Sequence, residues 1–104
     1  MIVTTTDSIP GREIAEVLGV VRGNSVRARW VGKDLRAAGR TLIGGEMPYY
    51  AELLDQSRTE ATKKMVEEAT TLGADAVVMV RYTTSQIMAS AAEVLAYGTA
   101  VKLK

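Results

Sequence analysis

Short apolar runs alternate with turn residues in the N-terminal quarter of the chain, a pattern typical of β-strands. "MIVTTT" is apolar and β-branched, which predicts an edge strand before the turn "DSIPG". Residues 12–22, "REIAEVLGVVR", carry apolar side chains on both faces. We therefore expect a strand buried on much of both faces, with a bulge or close backbone contact at Gly19. "GNS" at residues 23–25 then predicts a turn, and "VRARW" a second strand running back.

The middle of the chain has the hydrophobic spacing of two amphipathic helices. The first is short, and its apolar positions are Val31, Leu35, Ala38 and Leu42. The pair Gly44 and Gly45 is expected to end it. Pro48 stands where a first-turn proline belongs, so a second, longer helix should run from there to about Leu72, with Gly73 as its C-terminal cap.

The long helix presents one apolar stripe, interrupted by a charge at Arg58. The stripe consists of Met47, Tyr50, Leu54, Ala61, Met65, Ala69 and Leu72, and the far side of Glu52, Gln56, Glu60, Lys63 and Glu67. A helix of about 25 residues is roughly 37 Å long. A compact chain of this size is about 34 Å across. We therefore expect the helix to overhang its own sheet or to pack on a neighbouring subunit.

Arg58 is the residue in this stripe that packing alone does not explain, because a guanidinium stays charged and needs an acceptor when it is buried. One interpretation is that its stem packs while its head reaches the edge of the stripe or pairs with a structural acid. A second is an intersubunit salt bridge, with Glu93, Asp75 or Asp34 as acceptor. A third is a site for a small anion or ligand.

The C-terminal third predicts a β-hairpin. "ADAVVMVRY" reads as a strand, "TSQIMASA" as the connection, and "EVLAYGTAVKLK" as a second strand with alternating faces and a bulge at Gly98. We find no linker or repeat, so residues 1–104 are predicted to form a single domain. Its class is α+β, with an antiparallel sheet packed by one short and one long helix.

Composition limits the possible chemistry more than it identifies a function. The 104 residues include no Cys and no His, which excludes thiol and imidazole catalysis and zinc clusters of those ligands. A net charge of +1, with basic residues interleaved among acids, gives no footprint for nucleic acid. The sequence shows neither a signal-peptide pattern nor an apolar run of about 20 residues. We expect a cytoplasmic protein without nucleic-acid or membrane partners.

Several residues around the start of the long helix are candidates for a site. The glycine pair could aim backbone N–H groups at an anion, although a plain turn fits better, because the Lys and Ser/Thr of a phosphate loop are missing. Glu46, with Glu52 and Asp55, could supply oxygen ligands to a hard cation or simply form a solvated acidic edge. Tyr50 is expected to be a core or interface ring. No residue is predicted to be catalytic, and no cofactor is expected.

Taken together, these features resemble the YbjQ-like family of small bacterial and archaeal proteins. The matching positions are Gly44-Gly45, Tyr50, Leu54, Arg58, Ala61, Leu72-Gly73-Ala74-Asp75-Ala76-Val77-Val78 and Tyr97-Gly98-Thr99-Ala100-Val101. The resemblance covers nearly the whole chain. It implies a two-layer subunit similar to that of dodecin, assembled as a ring-like homopentamer, but no activity.

Some members of this family carry a heavy-metal-binding label. A soft heavy metal prefers thiolate or imidazole, so a metal site in this chain would use carboxylates and carbonyls, which suit Mg²⁺, Ca²⁺ or Mn²⁺. Our first hypothesis is a non-enzymatic oligomeric module for a small ligand or a protein partner. The second is a metal-binding protein with oxygen ligands. The third is an enzyme in which Arg58 holds an anionic substrate and a glutamate or tyrosine moves the proton.

Overall fold

Four strands and one helix form the part of the chain that the computed structural model describes, which is residues 1–28, 48–88 and 91–104. The elements are β1 (Ile2–Val3), β2 (Ile14–Ala28), α1 (Pro48–Thr71), β3 (Ala76–Met88) and β4 (Ala91–Leu103). They form one sheet in the order β1-β3-β4-β2. The α+β class is confirmed, as are the N-terminal edge strand and the C-terminal hairpin. The predicted short helix, with its four apolar positions, lies outside the described residues.

The sheet is mixed, whereas the sequence predicted an antiparallel one. The N-terminal strand β1 runs parallel to β3, with Ile2 opposite Ala76 and Val3 opposite Val77. Both other pairings, β3 with β4 and β4 with β2, are antiparallel. A two-residue strand carries no signal of direction, because the direction depends on where the following segment places it.

The prediction of a turn at residues 23–25 is wrong, because β2 continues through them as one 15-residue strand. Gly23 and Ser25 lie beneath α1 and are small for that reason. A Cβ atom on Gly23 would collide with the backbone of Ala61 and Met65 in the helix. The predicted bulge at Gly19 is confirmed by a register shift between Val17 and Gly19, where glycine adopts φ +129°.

The hairpin is longer than predicted. Strand β3 continues to Met88, so most of "TSQIMASA" is strand rather than connection. The extra residue of the bulge belongs to β3, between Val78 and Arg81, where Met79 adopts φ +56°. Gly98 lies across from this bulge and leaves it room, since a Cβ there would approach Val77 Cγ1 to 2.8 Å.

The main core lies between α1 and the sheet. Its buried residues are Val21, Ala61, Met65, Ala69, Val77, Val80, Val94, Ala96 and Ala100. A smaller cluster on the opposite sheet face contains Ala76, Val78 and Val101, with Ile9, Ile14 and Leu103 packed against it. The stripe of α1 is confirmed at Leu54, Ala61, Met65 and Ala69, and Gly73 follows the helix with φ +79° as expected of a cap. Leu72, by contrast, is 45% exposed.

Beyond Ile14, β2 is buried on one face only, which contradicts the prediction of burial on much of both faces. Val17, Val20 and Val26 point away from α1 and are 64%, 71% and 54% exposed.

The structure is elongated, with a radius of gyration of 17.2 Å and extents of 54 × 23 × 16 Å. A compact chain of this length has a radius of gyration of about 13 Å. Within the described residues, α1 lacks the apolar length that crossing a membrane requires.

Replacing Gly23 by Ala should destabilise the fold by about 1–3 kcal/mol, because the added methyl group meets helix backbone that cannot move aside as a side chain could. Urea unfolding at fixed protein concentration measures the change. Ala15→Ser, on an exposed position of the same strand, is the control and should change stability by less than about 0.5 kcal/mol. Equal effects of the two substitutions would show that Gly23 is not a close-contact position.

Candidate functional site

A cluster of charged and polar side chains joins α1 to β2, and we call Ser25, Arg27, Glu60 and Lys64 the Glu60 cluster. Arg27 Nη2 donates to Glu60 Oε2 at 2.6 Å, and Ser25 Oγ donates to the same oxygen at 3.3 Å. Lys64 Nζ lies 3.3 Å from Glu60 Oε1, one helical turn further along. Both carboxylate oxygens of Glu60 are therefore engaged by cations.

The Glu60 cluster extends across the sheet. Lys64 Nζ also donates to the backbone carbonyl of Asn24 at 3.0 Å, and Asn24 Nδ2 donates to Glu93 Oε2 at 3.2 Å. Lys64 thus ties α1 to the backbone of β2, and the Asn24–Glu93 bond joins β2 to β4 on the opposite face of the sheet.

The electrostatics of the cluster keep Glu60 ionised. The hydrogen bond from Lys64 is the largest cause of a lowered pKa at Glu60, and the Lys64 charge and the Arg27 guanidinium act in the same direction against the effect of partial dehydration. A general base or acid works best with a pKa near the operating pH. A carboxylate held in its charged form suits an ion pair that fixes the helix on the sheet, not proton transfer.

The helical wheel misplaced two residues of α1. It put Glu60 on the far side, whereas Glu60 faces the edge of β2, and it put Arg58 in the apolar stripe. The side chain of Arg58 is 51% exposed, with Nη2 3.4 Å from Asp55 Oδ1. Ser57, one position earlier, is the buried residue. Arg58 is four positions after Leu54, which suggested that both share the apolar stripe. The helix instead buries Ser57, three positions after Leu54.

The interpretation in which Arg58 pairs with an acid at the edge of the stripe agrees with the contact to Asp55. Two of the acids suggested as its intersubunit partners have contacts within the chain: Asp75 Oδ2 accepts from the Leu103 N–H at 2.9 Å, and Glu93 accepts from Asn24. The third, Asp34, lies outside the described residues.

The other sequence candidates are only partly within the described chain. Tyr50 lies in the first turn of α1, but its side chain is not among those described, and Gly44, Gly45 and Glu46 also fall outside. The Glu60 cluster was missed from the sequence. The Glu60–Lys64 spacing of four was visible, but its partners on β2 depend on how the helix docks.

The fold and these contacts define a small α+β domain whose described residues form an ion-paired helix–sheet junction rather than a catalytic constellation. The chain belongs to the YbjQ family, whose model, described as "Putative heavy-metal-binding", matches residues 1–104. It is 59% identical over 104 residues to a UPF0145 protein of Archaeoglobus fulgidus, covering 100% of this chain and 96% of that protein. It is 53% identical over 104 residues to a UPF0145 protein of Thermosipho africanus, with the same coverage.

A solved structure supports the fold independently. The crystal structure of a DUF74-family protein of unknown function from Pediococcus pentosaceus superposes with a TM-score of 0.73 and 20% identity, covering 100% of this chain and 98% of that one. At this identity the likeness concerns the fold alone.

The donor set of this chain does not fit the heavy-metal description of the family model. Soft metal ions are held chiefly by thiolate and imidazole, and the sequence has neither Cys nor His. Among the described residues, no three carboxylates converge as they would around a metal ion. We therefore assign no heavy-metal site to these residues.

Glu60→Gln should lower stability at pH 7, because it removes the charge that Arg27 and Lys64 surround. The folded-state pKa of Glu60 is lowered from 4.5, so its stabilising effect is present above that pH and is lost as pH falls through the folded-state value. Urea unfolding at pH 7 and at successively lower pH should show the difference between wild type and variant shrinking. Glu67→Gln, on the exposed face of α1, should match wild type at pH 7. A difference independent of pH would contradict the ion-pair account.

Proposed function

We propose that this protein is a non-enzymatic binding module for a small ligand or a protein partner and that it works as a homo-oligomer. The observation that carries the proposal is the outer edge of β2. Among the described strands, β2 pairs with β4 on one side and with no strand on the other.

That edge is suited to pairing with a second copy of the chain. Its two register shifts lie before Gly19, and residues 20–28 pair with β4 without interruption. Bulges and charged side chains are the usual devices that prevent edge pairing. Here the bulges protect only the first half of the strand, and the regular half keeps its outward N–H and C=O groups aligned.

The exposed valines support the same contact. Val20 and Val26 lie within the regular half of β2 and project from the face opposite α1. A neighbouring strand added at this edge would set its own side chains beside them and would remove apolar surface from water, at about 25 cal/mol per Å². Edge pairing therefore gains both backbone hydrogen bonds and apolar burial.

A second free edge makes a ring possible. The N-terminal segment pairs with β3 only as far as Val80, and the described part of the chain has no strand outside β3 beyond that point. If the edge of β2 in one subunit pairs with the outer edge of β3 in the next, the contact is head-to-tail, and such contacts form a ring when the rotation between subunits closes. The resemblance to YbjQ-like proteins suggests five subunits.

The exposed surface of α1 offers side chains for contacts between subunits. Arg58 is half-exposed and contacts only Asp55 among the described residues, so the guanidinium is available to a neighbouring subunit. Arg58 and Tyr50 are therefore our candidates for helix contacts between subunits, with Gly44, Gly45 and Glu46 near the start of the same helix.

The double substitution Val20→Lys and Val26→Lys should dissociate the oligomer, because it places two charges along the regular half of the edge. Native mass spectrometry and light scattering at micromolar concentration measure the subunit number. Val17→Lys is the matched control: Val17 is equally exposed but lies in the bulged half, so this variant should remain assembled. A wild-type protein that stays monomeric up to millimolar concentration would overturn the proposal.

A further inference from the structure

Two arginines and a tyrosine lie in one row across the sheet face that α1 leaves uncovered. Arg22 on β2 pairs with Tyr97 on β4, and Tyr97 pairs with Arg81 on β3. Side chains of directly paired residues project from the same face of an antiparallel sheet. All three are exposed, Tyr97 to 37%. We call these three residues the arginine row.

Arg81 is held in position by backbone contacts. Its Nη1 donates to the carbonyl oxygens of Thr5 and Val80, each at 2.9 Å. A guanidinium has five N–H donors, and these two bonds occupy one nitrogen only. A ligand that reaches Nη2 and Nε therefore meets a side chain that is already oriented, which reduces the entropy lost on binding.

The described strand positions that flank the arginine row on this face carry no carboxylate. The flanking rows on the same face are Asn24–Leu95–Thr83 and Val20–Thr99–Val78. Glu93 lies a further row away and accepts a hydrogen bond from Asn24. The ion pairs among the described residues involve neither Arg22 nor Arg81. The row is therefore a local concentration of positive charge on a chain whose net charge is only +1.

We propose that the arginine row binds a small anion that carries at least two phosphate groups. The two arginine Cα atoms are separated by two strand spacings, about 10 Å. Arg81 is held toward the outer edge of β3 by the Thr5 carbonyl, so the anion bridges its guanidinium and that of Arg22, which extends toward Tyr97. Arginine matches phosphate with paired N–H donors, and the phenol hydroxyl of Tyr97 adds another donor between them. A diphosphate can contact both arginines at once, which a single phosphate does less well.

The row is too small for a nucleic-acid surface. Proteins that bind nucleic acid typically make about 6–10 phosphate contacts, and those that bind single strands stack successive bases on aromatic rings. Among the described residues, the arginine row offers two arginines and one aromatic ring. A second exposed tyrosine among the described side chains, Tyr82, pairs with Ala96 on the α1 side of the sheet and hydrogen-bonds Thr62.

This site goes beyond the proposed assembly and does not depend on it. A strand added at the edge of β2 continues the sheet sideways and leaves the uncovered face open. Subunit number and anion binding can therefore be measured separately, and either can fail alone.

Isothermal calorimetry of the tag-free protein with inorganic pyrophosphate tests the site. Arg22→Gln and Arg81→Gln should each weaken binding about tenfold or more. Lys63→Gln removes the same charge from the exposed face of α1 and should leave affinity within about twofold of wild type. Inorganic phosphate should bind more weakly than pyrophosphate. Arg22 has no part in holding residues 4–8, so its variant remains informative if Arg81→Gln loosens that segment.

Three results would overturn the proposal. The first is no binding of pyrophosphate by the folded wild-type protein at millimolar concentration. The second is an equal loss of affinity in Lys63→Gln, which would show general attraction to positive charge. The third is tighter binding of a short single-stranded oligouridylate than of pyrophosphate, which would show a nucleic-acid surface. Thermal unfolding and native mass spectrometry of each variant establish that folding and assembly are intact.

Discussion

The close packing of α1 on β2 at Gly23 is the contact on which the rest of the described structure depends. The helix backbone at Ala61 and Met65 lies so near this strand that no side chain fits between them. That approach brings Glu60 over Ser25 and within 2.6 Å of Arg27, and it places Lys64 beside the Asn24 carbonyl. The small residues between α1 and β2 determine the distance between the helix and the strand. The ion pairs of Glu60 beside them determine the orientation of the helix on the sheet.

The same packing also determines what stays uncovered. Because α1 lies over β2 and β4 on one side, the other face of the sheet keeps the exposed valines and the arginine row. Among the described strands, none pairs with the outer edge of β2. The radius of gyration is 17.2 Å, against about 13 Å for a compact chain of this length. The proposed assembly, in which neighbouring subunits complete the sheet, accounts for this shape, and that completion is the central claim of the proposed function.

Sequence reasoning succeeded where the signal is local. The extent of α1, its glycine cap and the pairing of β3 with β4 follow from periodicity and turn residues within short windows. It failed where tertiary contacts override local composition: Gly23 and Ser25 read as a turn but are small because a helix rests on them. The prediction that Arg58 belongs to the buried stripe failed for a geometric reason. From Leu54, the next buried position of a helix can be three or four residues on, and α1 buries Ser57 rather than Arg58. The parallel direction of β1 depends on how the N-terminal segment packs beside β3, and the partners of Glu60 depend on how α1 packs on β2. Neither can be predicted from a local sequence pattern.

Hydrogen–deuterium exchange along β2 as a function of protein concentration tests the central claim most directly. The outward-facing amides of residues 20–28 should be protected in the concentrated protein and become exchangeable on dilution, while amides bonded to β4 stay protected at both concentrations. Two results would contradict assembly through this edge. One is that the outward amides exchange freely at every concentration. The other is that they stay equally protected on dilution in a sample that is monomeric.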